Sequence, residues 1–197
     1  MMNVIRIKNC VNRQIVRVYS RLIARSFKSY LPSRVHHSAL IYNPQFISLM
    51  GVSVGRGVWL YAITSDTAGN TYKPDFIVGK GTQIGDFCHI TCAERLEIGE
   101  NVLMGQGVFI ADSNHAYHDI STPVMAQGLT AKPVSIGAGS WLGNHAAVVG
   151  CSIGRNCVVG ANSVVTRDVP DYCVVAGAPA RIIKRYDGAA KEWVRVT

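Results

Sequence analysis

Apolar residues followed at once by glycine punctuate this chain, in runs spaced six residues apart. The pairs include Val54-Gly55, Val78-Gly79, Ile84-Gly85, Ile98-Gly99, Met104-Gly105, Ile136-Gly137, Leu142-Gly143, Ile153-Gly154 and Val159-Gly160, and Leu60, Ile90, Ile110, Val148 and Val165 occupy further slots without the glycine. Four positions after a slot the residue is small or compact, as at Val58, Thr82, Cys88, Val102, Val108, Ser140, Ala146, Cys157 and Ser163. A six-residue period predicts an all-β chain wound as a parallel β-helix, in which each hexapeptide lays down one short strand and one turn. Three hexapeptides close a triangular coil, the slot residue points inward, and several coils must stack before the core is covered.

The period breaks in two places. From Ile90 the next slot is Ile98, and from Ile110 the next clear one is Ile136, which predicts a long loop over residues 112–135. That loop carries Ala111-Asp112-Ser113-Asn114-His115-Ala116-Tyr117-His118-Asp119 and rejoins at Lys132-Pro133. Long loops in compact domains often carry function, and histidines favour that reading.

Upstream the pattern changes. Val4, Ile7, Val11, Ile15, Val18 and Leu22 recur at helical spacing, with Arg13, Arg17, Arg21 and Arg25 on another face. This predicts a basic amphipathic helical segment over 1–35, ended by Pro32, then the β-helix over 36–183 and a capping strand over 184–197 with Trp193, Val194 and Val196. Charge follows the same division: residues 1–65 hold nine Lys or Arg and no acid, so the whole formal net charge of +8 is N-terminal. Two roles fit the helix, a cap on the open end of the first coil, or contact of residues 1–28 with an anionic membrane. No apolar run is long enough to span a bilayer and no signal-peptide core is evident, so a cytoplasmic protein, at most peripheral at the inner membrane, is expected. Nothing beyond charge supports nucleic acid. Six cysteines form no C-x-x-C pair; Cys88, Cys92, Cys151, Cys157 and Cys173 read as small apolar filler in a reducing setting.

From about Val54 to Lys184 the chain resembles the hexapeptide-repeat acyltransferases, in the branch of maltose, galactoside and lipopolysaccharide O-acetyltransferases. The residues carrying the likeness are the repeats, Ser113-Asn114-His115, Lys132-Pro133-Val134-Ser135-Ile136-Gly137, Trp141-Leu142-Gly143, Gly160-Ala161-Asn162-Ser163-Val164-Val165-Thr166-Arg167-Asp168-Val169-Pro170 and Ala176-Gly177-Ala178-Pro179-Ala180. The resemblance implies a left-handed β-helix, a homotrimer with active sites between subunits, acetyl-CoA as co-substrate, and direct transfer to a sugar hydroxyl without metal or covalent acyl-enzyme. It assigns the general base to His115, a residue type suited to deprotonating a hydroxyl near neutral pH. Relatives of the galactoside type place partners for that histidine at the turn matching Cys92-Ala93-Glu94, where the aspartate is absent; Glu94 is then the first candidate, with Asp112 or a main-chain carbonyl as alternatives. His89, Asn114 and His118 are candidate acceptor-binding residues. Gly143, Ala161, Thr166 and Arg167 would line the donor groove, with Trp141 beside it and Arg181 or Lys184 meeting the phosphates.

Other readings remain beside this one. His89, His115, His118 and His145 would be the residues of a zinc site like that of γ-class carbonic anhydrases, but their spacing fits poorly. A serine or amino-sugar acyltransferase and a non-catalytic β-helix are the remaining alternatives; the serine enzymes usually carry a large helical N-terminal domain, which about 35 residues cannot provide.

Overall fold

The computed structural model describes residues 4–196, with side chains from residue 12 onward. Short strands wind as a left-handed parallel β-helix with three faces. The first face stacks Ser29–Leu31, Ile47–Met50, Asp75–Val78, Arg95–Ile98 and Val134–Ile136. The second runs from Arg34–Val35 through Ser53–Val54, Gln83–Ile84, Leu103–Met104, Trp141–Leu142 and Val158–Val159 to Cys173–Gly177. The third stacks Leu40–Tyr42, Trp59–Ala62, His89–Cys92, Phe109–Ala111, Ala147–Val149 and Val164–Val165. Partners are in register, Leu60 opposite Ile90 and Ile90 opposite Ile110.

The slots fill the axis as the period predicts. Leu60, Ile90, Ile98, Ile110, Leu142, Val148 and Val159 are fully buried, each burial stabilising by about 1.5–3 kcal/mol relative to exposure. The small slots are buried as well, and their hydroxyls serve the backbone. Thr82 Oγ1 donates to the Gly99 carbonyl (2.7 Å) and accepts the Val102 N–H, while Ser140 Oγ donates to the Gly154 carbonyl (2.8 Å) and accepts the Cys157 N–H. Cys88, Cys92, Cys151, Cys157 and Cys173 are buried and free; burial pushes the Cys88 thiol up to about 11, so it stays protonated and inert. Cys10 lies outside the described side chains.

Two of the three edges are tight. Four-residue turns such as Gly85–Cys88 and Gly105–Val108 join the second face to the third, and Gly79–Thr82 and Gly99–Val102 join the first to the second. Their glycines touch the coil above: a Cβ on Gly85 would lie 2.4 Å from the Gly105 carbonyl oxygen. The third residue of these turns takes positive φ, as at Gly107 and Asn101, but also at Phe87 and His145. Bulky and minimal residues alternate in that column, since a Cβ on Gly107 would meet the His145 ring at 2.3 Å.

Every insertion longer than one residue sits on the remaining edge, between the third face and the first. It holds Asn43 and the 3₁₀ turn Pro44–Phe46, then residues 63–74, Ala93-Glu94, residues 112–133, Gly150–Ser152 and Thr166–Asp168. The 63–74 insertion, absent from the sequence reading, is a small hairpin bridged at Ser65 and Thr71.

Both ends differ from expectation. Helix α1, Val4–Ile23, stops well before Pro32, because Phe27 enters the core and Ser29–Leu31 already pairs with Ile47–Met50 as the first coil. The C-terminal segment is a hairpin rather than one strand: Ala180–Asp187 runs antiparallel to Cys173–Gly177, and Glu192–Arg195 pairs back on it.

Coil stacking predicts that Gly85→Ala lowers stability in denaturant melts by about 1–3 kcal/mol through overpacking, because backbone blocks the new methyl. Gly188→Ala, with nothing within 4 Å of the added carbon, should stay within about 0.5 kcal/mol of wild type.

Candidate active site at the inserted edge

The histidine loop is more ordered than its sequence suggests. Ser113–His115 and Leu129–Ala131 form an antiparallel pair in which His115 stands opposite Leu129, and the Ala116 N–H donates to the Gly128 carbonyl (3.1 Å). At the tip Asp119 collects bonds from Ser121 and Thr122, which hold its carboxyl down to about 2. His115 therefore sits near the root of a stiff hairpin, exposed, with Asn114 Oδ1 accepting its backbone N–H.

Two features fix that root. The first is Asp112, only 1% exposed, whose carboxylate accepts the Ala93 N–H (2.8 and 3.0 Å) and the Glu94 N–H (2.8 Å) on the coil below. Asp112 carries no cationic partner among the described residues; backbone amides hold it, with the Cys92 thiol beside it. It therefore positions the turn, and among the described residues no hydrogen bond joins it to the His115 ring. Burial and the adjacent Asp112 carboxylate also push the Cys92 thiol up. The second is the 63–74 hairpin. Tyr72 donates to Asp66 Oδ2 (2.5 Å) and accepts the Leu129 N–H (3.3 Å), and Thr67 bonds the Met125 carbonyl. Bonds from Tyr72 and Asn70 hold the Asp66 carboxyl down to about 2. The strand facing His115 is thus braced from two coils earlier.

The predicted residues fall into separate groups. His115, Asn114, His118 and Glu94 share the inserted edge, and so do Thr166 and Arg167, which follow the third-face strand Val164–Val165. Glu94 is exposed, its carbonyl accepting the Asp75 N–H (2.9 Å). Among the described residues no hydrogen bond joins Glu94 to His115. His118 stands near Tyr117, ring centroids 5.4 Å apart. A cleft of 240 Å³ at this edge is lined by Asp112, Ser113, Asn114, Thr130, Lys132 and Gly150 among others. Lys132, which the sequence reading treated only as part of the return to the coil, contributes its cation there.

Elsewhere the geometry separates residues that the resemblance groups. Gly143 and Ala161 stack on the opposite edge of the third face, where a Cβ on Gly143 would lie 2.6 Å from the Ala161 nitrogen. That contact alone requires glycine at 143. Trp141 is exposed on the second face, and Arg181 and Lys184 lie on the C-terminal hairpin. His89 belongs to an outward ladder on the third face, edge-on to Trp59 (4.8 Å) and Phe109 (5.6 Å), where burial pulls its pKa down and favours the neutral ring. His145 occupies a tight turn on the edge shared with Gly143. Within one chain the four histidines weighed for zinc are spread over two edges and a face.

Residues 133–167 match the family model described as hexapeptide repeat of succinyl-transferase. Over 164 residues the chain is 33% identical to Rv3034c of Mycobacterium tuberculosis, named as an acetyltransferase, covering 72% of this chain and 52% of that one. Over 119 residues it is 40% identical to WbbJ of Escherichia coli K12, named for O-acetyl transfer in lipopolysaccharide biosynthesis, covering 56% and 61%. The chain thus spans about half to three-fifths of these relatives' lengths. Among solved structures, the hexapeptide-repeat acetyltransferase VCA0836 of Vibrio cholerae, complexed with acetyl-CoA, superposes with TM-score 0.62 at 22% identity, covering 92% of this chain and 84% of that one, and shares the fold.

Removing the Asp112 carboxylate strands the Ala93 and Glu94 amides. Asp112→Ala should lower stability by about 1–3 kcal/mol or more, and amide hydrogen exchange should show those two N–H groups losing protection first.

Proposed function

We propose that this chain, a hexapeptide-repeat protein related to acetyltransferases, moves an acetyl group from acetyl-CoA to a hydroxyl of a sugar, surface polysaccharide or lipid-linked glycan. The observation carrying this reading is the braced hairpin that presents His115 at the edge where all insertions stack. The names of the relatives support the acetyl group, and that of the lipopolysaccharide relative supports a glycan hydroxyl.

In this mechanism His115 removes the proton from the acceptor hydroxyl as its oxygen attacks the thioester carbonyl; the carbon–sulfur bond then breaks and the proton leaves with the CoA thiol. Glu94 orients the imidazole, with its backbone fixed by Asp112 from the same edge. Asn114 and His118 meet the acceptor, and Lys132 stands beside the same cleft. The opposed positions of His115 and of Gly143 with Ala161 support a site completed by a second copy. A homotrimer with sites between subunits meets that need, with Trp141, Thr166, Arg167, Arg181 and Lys184 toward the donor. The outward His89 ladder suits a surface that packs against a neighbour or a sugar face. Free, buried thiols agree with a cytoplasmic setting.

Acetyl-CoA incubated with a panel of free, nucleotide-linked and lipid-linked sugars should release free thiol with at least one acceptor class. His115→Ala should lower the rate at least about a hundredfold while CoA binding by calorimetry persists; near-normal turnover would remove His115 from the mechanism. Glu94→Gln should lose less, and wild-type kinetics in that variant would exclude Glu94 as the orienting group.

A further inference from the structure

Helix α1 meets the β-helix through a face other than the one its apolar pattern marks. Tyr19, Ser20 and Ile23 face the first coil, and Ser20 Oγ accepts the Val35 N–H (2.9 Å) while donating to the Val16 carbonyl (2.7 Å). At 100° per residue that face lies well away from the line through Ile15, Val18 and Leu22. Those three side chains are 44%, 58% and 74% exposed. Val4, Ile7 and Val11 of the same predicted stripe lie outside the described side chains. So the cap role is met by a polar anchor and two half-buried side chains, and the apolar stripe is left uncovered.

Charge identifies what would cover it. On the other flank of the exposed side stand Arg13, Arg17 and Arg21, and Arg34 of the first coil joins them: Arg13, Arg17 and Arg34 line one recess, and Arg17, Arg21 and Arg34 with Ser20 and Tyr30 line another. Among the described residues none of these arginines forms an ion pair; the pairs that exist use Lys28, Arg56, Arg95 and Arg155. No acid occurs anywhere in residues 1–65. An apolar stripe flanked by unpaired arginines, on a helix anchored by its opposite side, matches a bilayer interface: acyl chains accept the leucine and valine, and phosphate headgroups meet the guanidinium groups. No helix among the described residues is long and apolar enough to cross a membrane, so the contact lies in the surface plane.

We infer that α1 docks the protein on a membrane of anionic phospholipid through Ile15, Val18 and Leu22, with Arg13, Arg17, Arg21 and Arg34 on the headgroups. This is independent of the acetyl-transfer reading, because vesicle binding is measured without any acceptor or donor. The full chain should co-sediment with vesicles of phosphatidylcholine plus phosphatidylglycerol at low salt, bind phosphatidylcholine alone far more weakly, and dissociate as salt is raised. Val18→Asp with Leu22→Asp should lower vesicle affinity more than tenfold. Arg13→Gln, Arg17→Gln and Arg21→Gln should each cost about fivefold and flatten the salt dependence. The inference is overturned by a full chain that stays in the supernatant with anionic vesicles at low salt. It is equally overturned if the aspartate variant sediments like wild type while the glutamine variants do not, the mark of a general polyanion site. A third overturning result is an aspartate variant with a smaller assembly in light scattering, which would make the stripe a contact between copies of this chain.

Discussion

Everything in this molecule depends on one coil lying in register on the next. Parallel pairing places Leu60, Ile90 and Ile110 over one another, and the tight turns bring backbone against backbone, with Gly85 under Gly105 and Gly143 under Ala161. Contacts this close leave no space for a loop. One edge is therefore fixed in length, the edge between the first and second faces changes by a single residue, and the larger variation goes to the third. That is why Ala93-Glu94, the histidine hairpin, residues 63–74 and Thr166–Asp168 all collect along one line although they come from different coils. The scaffold's intolerance on two edges assembles the candidate site on the other.

The same constraint explains what the sequence made visible. The slot residues, the small slots and the cysteine filler obey the period, so the core could be read directly from the spacing. The gap from Ile110 to Ile136 disturbs the period and announced a loop. The gap from Leu60 to Val78 is eighteen residues, three whole repeats, so an insertion hid inside an unbroken phase; only polar residues where slots would fall, Asp66 and Tyr72, betrayed it. Helix α1 misled in another way, because a helical apolar period says that a stripe exists and not which neighbour takes it. Ser20, a polar residue, was the anchor, and Phe27 with the strand at Ser29 ended the helix before Pro32 could.

Asp112 marks the limit of reading a site from residue types. A carboxylate near a histidine suggests an orienting partner, and its place in the sequence allowed that role. Burial and geometry give it another: both of its oxygens accept amides of the turn one coil below. A buried carboxylate without a cation is tolerable only where donors converge on it, and main-chain N–H groups do so here. The aspartate thus joins the turn bearing Glu94 to the strand bearing His115, and the relative placement of the two candidate groups is set by a third that faces neither.

Placement along the helix axis then separates tasks that a compact enzyme would mix. The inserted edge concentrates hydroxyl, imidazole and carboxylate chemistry, whereas the uncompensated positive charge sits at the first coil and on α1. Lys28 and Arg95 are tied to Asp75, Arg56 to Asp86 and Arg155 to Asp171, so four of the basic residues that lie on the coils have an acid beside them. Those on the outer side of α1 do not. In water such a cluster costs self-repulsion and gains nothing from packing, since the helix is anchored through Ser20, Tyr19 and Ile23 instead. A fold that sets acids beside Lys28, Arg56, Arg95 and Arg155 on its coils, yet leaves arginines and an apolar stripe together at one end, carries at that end a surface whose complement is outside the chain.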